Sequence, residues 1–177
     1  MNRSELYYHS VDVLLDAYND KKLKHGDCTA CAVGNLVGDG MKKLGKSYTM
    51  DDLERMGSRI TLRTWTRLFV TSRPGHSRQF ISKIPEKILG KDSVIRTHVE
   101  CTGYHWKELA RIEKAFESIS KKTVRSENET LMQFEGLCKV LDVLKEIHQV
   151  DQEVSSVSSE RLQKIYKNKH ERVCPYE

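Results

Sequence analysis

Between residues 4 and 22 the apolar positions Tyr7, Val11, Leu14, Leu15 and Tyr18 recur every three or four residues. That spacing puts them on one stripe of an α-helix and predicts a helix over the span. Lys24-His25-Gly26 interrupts the pattern. Asp27 then stands where an N-cap would, ahead of a helix to about Val37 with Ala30, Val33 and Val37 on one face. Gly34 and Gly38 would let a neighbouring backbone approach, and Gly38-Asp39-Gly40 is expected to end the element.

The middle of the chain is less regular. Thr49 and Asp52 form a capping-box pattern for a short helix through Met56. Over 59–71, Leu62, Trp65, Thr66, Phe69 and Val70 fit a helix, while the β-branched content fits a strand; a helix is the expectation. Residues 72–76 contain Arg-Pro-Gly-His and read as a loop. One or two short helices are expected around Pro85, and Val94 to Val99 as one short extended segment.

The last third is the most periodic. Leu109, Ile112, Phe116 and Ile119 mark a helix within 104–120, and Leu131, Phe134, Cys138, Leu141 and Leu144 another within 127–150. Joined by the polar Lys121–Ser126, they predict a long antiparallel hairpin. Ser155–Ser159 reads as a serine-rich break, with a short charged helix to about Asn168 and a tail beyond it. The expected fold is all-α, a bundle of five to seven helices: a single domain over 1–154, then the C-terminal helix and tail over 155–177.

Composition agrees with a folded bundle. The 177 residues are 38% hydrophobic and 31% charged, enough to bury a core without staples and too apolar for a disordered chain. No apolar run approaches the roughly 20 residues that span a bilayer, nor does the N-terminus carry a signal-peptide core. Five cysteines, an odd number, together with that N-terminus predict a reducing, cytoplasmic setting and no membrane partner.

The net charge of +5 is modest, but its distribution is not. Between residues 55 and 87 stand Arg55, Arg59, Arg63, Arg67, Arg73, Arg78, Lys83 and Lys87 against one acid, Glu86. Arg59, Arg63 and Arg67 are four apart, so they share a face in either a helix or a strand. Like charges on one face repel unless an anion or carboxylates neutralise them. Guanidinium groups fork onto phosphate or carboxylate oxygens. Arg73, His76 and Arg78 surround a Pro-Gly turn whose amides could join them, and Trp65 or Tyr104-His105-Trp106 could stack on a base. The plain alternative is a solvated face, or pairing with Glu113, Glu117, Glu127 and Glu129. No Walker loop, dinucleotide fingerprint or zinc-finger pattern is present.

Cys28-Thr29-Ala30-Cys31 places two thiols near a helix start, where amides favour a thiolate. The spacing resembles the all-helical peroxidase-reductase branch of the carboxymuconolactone decarboxylase-like family. Its Glu and His positions are Asp16 and Asn35 here, and Asn35 cannot shuttle a proton. A zinc site would add His25, or His98, Cys101 and His105, to Cys28 and Cys31, since one CxxC supplies two of four ligands. Simple helix packing is the plainer account. Asp12 with Asp16, and Glu113 with Glu117, lie one turn apart and could serve a metal or acid–base step, though exposed carboxylates are commoner. His148, near a helix end, suits a cation against the dipole.

The phrases Asp27-Cys28-Thr29-Ala30-Cys31-Ala32-Val33-Gly34-Asn35-Leu36, Glu113-Lys114-Ala115-Phe116-Glu117 and Gly136-Leu137-Cys138-Lys139-Val140-Leu141-Asp142-Val143-Leu144 resemble small accessory proteins of tailed phages and their bacterial hosts. That class includes nucleic-acid handlers and proteins that sequester host signalling nucleotides. The resemblance implies an accessory gene product and no reaction, with a host-defence nucleotide sponge, a counter-defence role, as the most specific form of a binding function. Three expectations stand together: a non-enzymatic binder of a nucleotide or nucleic-acid phosphate; an interaction module or homo-oligomer built on the hairpin; and a zinc or thiol protein centred on the CxxC.

Overall fold

A computed structural model describes residues 2–27, 30–45, 99–119 and 128–171. Among these residues, 79% are helical and there is no strand. The all-α expectation holds. Five helices carry the architecture: α1 (Arg3–Asn19), α2 (Ala32–Lys43), α3 (Trp106–Glu117), α4 (Glu129–His148) and α5 (Gln152–Glu171). A further helical turn covers 99–102.

α1 begins at a reciprocal cap. The Asn2 side chain accepts the Glu5 amide while the Glu5 carboxylate accepts the Asn2 amide, which satisfies two orphan donors at once. All five residues of the expected stripe are buried. The helix stops at Asn19, three residues short of expectation, because Lys21 turns left-handed (φ 59°) and the Lys22 amide closes back on the Ala17 carbonyl.

α4 is the hub, running antiparallel to α1, α3 and α5. Against α1, Arg3 reaches the Ile147 carbonyl at one end and Tyr18 the Thr130 carbonyl at the other. Against α3, Phe116 meets Gly136, and Arg111 pairs with Glu146. That is the expected hairpin; its connection lies outside the described residues. Against α5, Phe134 stacks on Tyr166 at 4.3 Å between centroids. Because α4 has three neighbours among the described helices, its apolar surface is wider than one stripe. Met132, Gly136, Leu137, Val140 and Ile147 are buried, while Leu131, Phe134 and Cys138 from the expected stripe are half-buried. The core is formed by Leu14, Leu109, Ile112, Phe116, Leu137, Leu144 and Leu162, each fully buried.

Two expected boundaries are corrected. The glycines at 38 and 40 do not end α2, which continues to Lys43. Gly40 lies so close to the turn at 99–102 that a Cβ would fall 2.1 Å from the Cys101 carbonyl oxygen, so this glycine serves close approach inside a helix. Nor do the serines at 155–159 break the chain: they lie within α5, which runs unbroken over Gln152–Glu171. Ser156, Ser158 and Ser159 bond back to carbonyls three or four residues earlier, Ser155 is buried, and buried Ser158 meets α1 at Tyr7. Their small size lets α5 pack in parallel beside α1, held at Tyr7–Ser158 (3.1 Å), Asp12–Arg161 (2.8 Å) and Lys169 over the Tyr18 ring (4.2 Å). No described helix is long and apolar enough to cross a membrane.

Candidate functional site

The polar groups of the described residues converge where the loop between α1 and α2 meets α3. Gln133 of α4 donates to the Leu23 carbonyl at 2.6 Å, fixing the start of the loop. Gly26 takes a positive φ (73°), a conformation that costs glycine little, and its amide points at Glu117, bonding both carboxylate oxygens at 2.9 and 3.1 Å. Beside it, His25 lies flat on Phe116, 4.1 Å between centroids and 7° between planes. The room for that stack comes from Gly136, where a Cβ would press on both rings, 2.9 Å from Phe116 and 3.1 Å from His25. Both ring nitrogens of His25 are buried, with no hydrogen-bond partner among the described residues.

Asp27 was expected to cap α2, but the cap is Cys31. The Asp27 carbonyl instead accepts the Ala30 and Cys31 amides in a turn that precedes the helix. Cys31 then takes the extended cap conformation, and its sulfur accepts the Gly34 amide at 3.3 Å. Asn35 ties the turn down by donating to the Ala30 and Cys31 carbonyls, both at 3.0 Å. Its amide is structural there.

Behind this cap stands Glu113 of α3, 8% exposed. Its carboxyl accepts the Cys31 thiol and lies 3.5 Å from the Val33 amide. Burial, with Glu117 one turn along, pushes the Glu113 carboxyl up to about 7. Burial and the facing Glu113 carboxylate push the Cys31 thiol well up too. The expected thiolate at the helix start is therefore not what Cys31 supplies: desolvation overrides the helix amides.

The structure separates the other candidates. Arg59, Arg63, Arg67, Arg73, His76 and Arg78 lie outside the described residues, as do Cys28, His98, Trp65, Glu127, the 49–56 and 79–89 elements and residues 94–98. Val99, the last residue of the expected extended segment, is helical. Cys101 sits beside the Val37 carbonyl, with its own carbonyl against Gly40. That is six to nine residues along α2 from Cys31, or about 9–13 Å at 1.5 Å per residue. Zinc needs its ligands within about 2.3 Å of one centre, so this arrangement does not bring Cys31 and Cys101 to a common metal. No group of three or more His, Cys, Asp or Glu among the described residues could hold a metal ion.

Tyr104 is also removed from the stacking candidates, being fully buried with its hydroxyl bonded to Ser10 and His148. Trp106 stays half-exposed, with Lys107 over its ring. His148 is no cation at a helix end: burial lowers its pKa. Asp12 is taken up by Arg161. Glu113 and His25 were visible in the sequence only as one of an acid pair and as an alternative ligand; their convergence on Cys31 and Phe116 needed the packing of α3 on the loop.

No protein-family model, curated protein or solved structure matches this chain.

Proposed function

We propose that this chain is a non-enzymatic binding protein for a phosphate-bearing ligand, a nucleotide or nucleic acid, engaged through Arg59, Arg63, Arg67, Arg73, His76 and Arg78. One observation carries this reading. Eight cations face one anion between residues 55 and 87, with three arginines four positions apart, and such a face calls for an external anion unless the protein supplies its own. Three of the four acids named as partners are engaged elsewhere among the described residues, which supports the reading. Glu113 is buried against Cys31, Glu117 clamps the Gly26 amide, and Glu129 accepts from Gln133. The arginines on the described helices, by contrast, have acids of their own: Arg3 with Glu108, Arg111 with Glu146 and Arg161 with Asp12.

The likeness to phage accessory proteins gives the proposal its most specific form, sequestration of a signalling nucleotide used in host defence. The test is titration calorimetry against linear and cyclic nucleotides and a single-stranded oligonucleotide, with the wild-type chain and an Arg63→Ala/Arg67→Ala variant. Wild-type binding that the double substitution weakens at least tenfold, with a nearly unchanged melting temperature, is the expected result. Binding that survives the substitution, or no binding by the wild type, removes the proposal.

A further inference from the structure

Parallel packing of α1 on α5 leaves a solvent-facing seam between the two helices. The half-exposed Asp12 and Arg161 side chains bridge it at 2.8 Å. One turn before them stand Tyr8 on α1, 49% exposed, and Val157 on α5, 56% exposed. Residues four apart share a helix face, and the two helices run the same way, so this apolar pair occupies the same surface as the ion pair. Asp16 and Lys164, both exposed, follow one turn later. Leu44 is the other exposed large apolar side chain among the described residues, and it lies at the C-cap of α2. We propose that the seam is a homodimer interface: a second copy of the chain lays its α1 on this α5 and its α5 on this α1, about a two-fold axis that runs along the seam.

The charges on the two helices select the occupant. After Arg3, α1 carries Glu5, Asp12 and Asp16 and no Lys or Arg. From Arg161 to Lys169, α5 carries Arg161, Lys164, Lys167 and Lys169 and no acid. The seam thus has an acidic edge and a basic edge, and such a surface is complementary to itself. With the two-fold along the seam, each acidic edge faces the basic edge of the other copy. Asp12 and Arg161 then join their two counterparts in a ring of four alternating charges, and each Tyr8 covers the partner's Val157. The antiparallel alternative sets α1 on α1 and brings Asp12 and Asp16 against the same acids, which like-charge repulsion disfavours.

Size sets the strength. Glu5 and Glu153, a further turn before the apolar pair, would meet as like charges and confine close contact to the stretch from Tyr8 to Asp16. With its side chains that stretch is about 16 Å long, and two helices side by side are about 20 Å across. The contact is therefore roughly 300 Å² on each copy, well below the roughly 600 Å² a side of the smallest stable interfaces. The dimer is accordingly transient, with a dissociation constant on the order of 10⁻⁴–10⁻³ M. Exposed ion pairs add little singly, so the contact of Tyr8 with Val157, made twice, supplies the affinity and the charges set the orientation.

The experiment is sedimentation equilibrium of the whole chain in reducing buffer, from about 20 µM to about 1 mM, at low and high salt. The wild type should move from monomer towards dimer across that range, and high salt should weaken the association about two- to fivefold. Val157→Asp sets a carboxylate into each apolar contact from an exposed helix position, and should weaken association at least tenfold. Asp12→Arg and Arg161→Asp each oppose like charges twice, because the interface is two-fold, and each alone should weaken it at least tenfold. Mixed in equal amounts, the two variants set opposite charges against each other again and should associate within about threefold of the wild type. Each variant in the mixture still lacks its internal Asp12–Arg161 pair, so the recovery reads only the contact between copies.

A wild type that stays monomeric at the highest concentration overturns the proposal. Association that survives Val157→Asp places the contact on another surface and overturns it too. Single charge reversals that change nothing, or a mixture that does not recover, show that acidic and basic edges do not face each other, with the same consequence.

Discussion

The hydroxyl of Tyr104 lies 2.9 Å from Nε2 of His148, and the bonds around the pair fix which nitrogen carries the proton. Ser10 donates to the Leu6 carbonyl at 2.7 Å, so its oxygen receives the Tyr104 proton at 2.8 Å. Tyr104 can then only accept from His148, which places the hydrogen on Nε2. Nδ1 is buried, with no hydrogen bond to it among the described residues.

A second proton on His148 would go to that unpartnered nitrogen, and burial lowers the His148 pKa accordingly. The unfolded chain takes this proton first, at about 6.5. The group's contribution to stability is thus complete above that pH and falls as pH drops below it. Urea melts at pH 7.5 and 5.5 should show a smaller acid loss in His148→Gln, whose amide can still donate to Tyr104, than in the wild type. Equal losses would contradict the assignment.

Glu113 acts in the opposite direction. Its folded carboxyl titrates at about 7 rather than 4.5, so the folded state holds the extra proton and stability falls as pH rises between the two values. The displacement corresponds to on the order of 3 kcal/mol. Relative to wild type, Glu113→Gln should gain most of that between pH 5 and pH 8 in calorimetric or urea unfolding. A wild-type-to-variant difference that is the same at both pH values would show that Glu113 ionises normally.

Two glycines should respond differently to alanine. At Gly40 a Cβ would meet the Cys101 carbonyl oxygen at 2.1 Å, so the turn at 99–102 must move, costing about 1–3 kcal/mol, partly offset by about 1 kcal/mol of helix propensity. At Gly26 nothing lies within 4 Å, and only the positive φ is strained, at about 1–2 kcal/mol. Gly40→Ala should alter the Cys101 environment, read as faster thiol labelling there; Gly26→Ala should leave Cys101 unchanged.

The serine face of α5 makes a size prediction. Ser158→Ala should cost about 1 kcal/mol by leaving the buried Tyr7 hydroxyl without its partner. Ser158→Leu should cost more, by forcing α5 away from α1. Thermal melts of both variants order these costs, and a leucine variant as stable as the alanine one would show that the α1–α5 contact is not close-packed.

The stripe of α1 and the hairpin of α3 on α4 were legible because each depends on local periodicity: residues three and four apart must share a face whatever the rest of the chain does. The arginine spacing at 59, 63 and 67 is information of the same local kind. Composition and periodicity could not say why a glycine or a serine was present. Gly40 reads as a helix stop until the Cys101 carbonyl is beside it, and Ser155–Ser159 reads as a break until α1 lies against it. The full width of the α4 core also escaped, because a single stripe assumes one neighbour where the described helices supply three.

The sequence alone determined the helical class, the main helix faces and the concentration of positive charge. Tertiary structure decided the chemistry at the α1–α2 loop. Cys31, Glu113 and His25 are separated by up to 88 residues, and their protonation is governed by desolvation and by the partners each finds. Desolvation is a property of what packs around a group, so the same cysteine that reads as a thiolate at a helix start becomes a buried thiol once α3 closes over it.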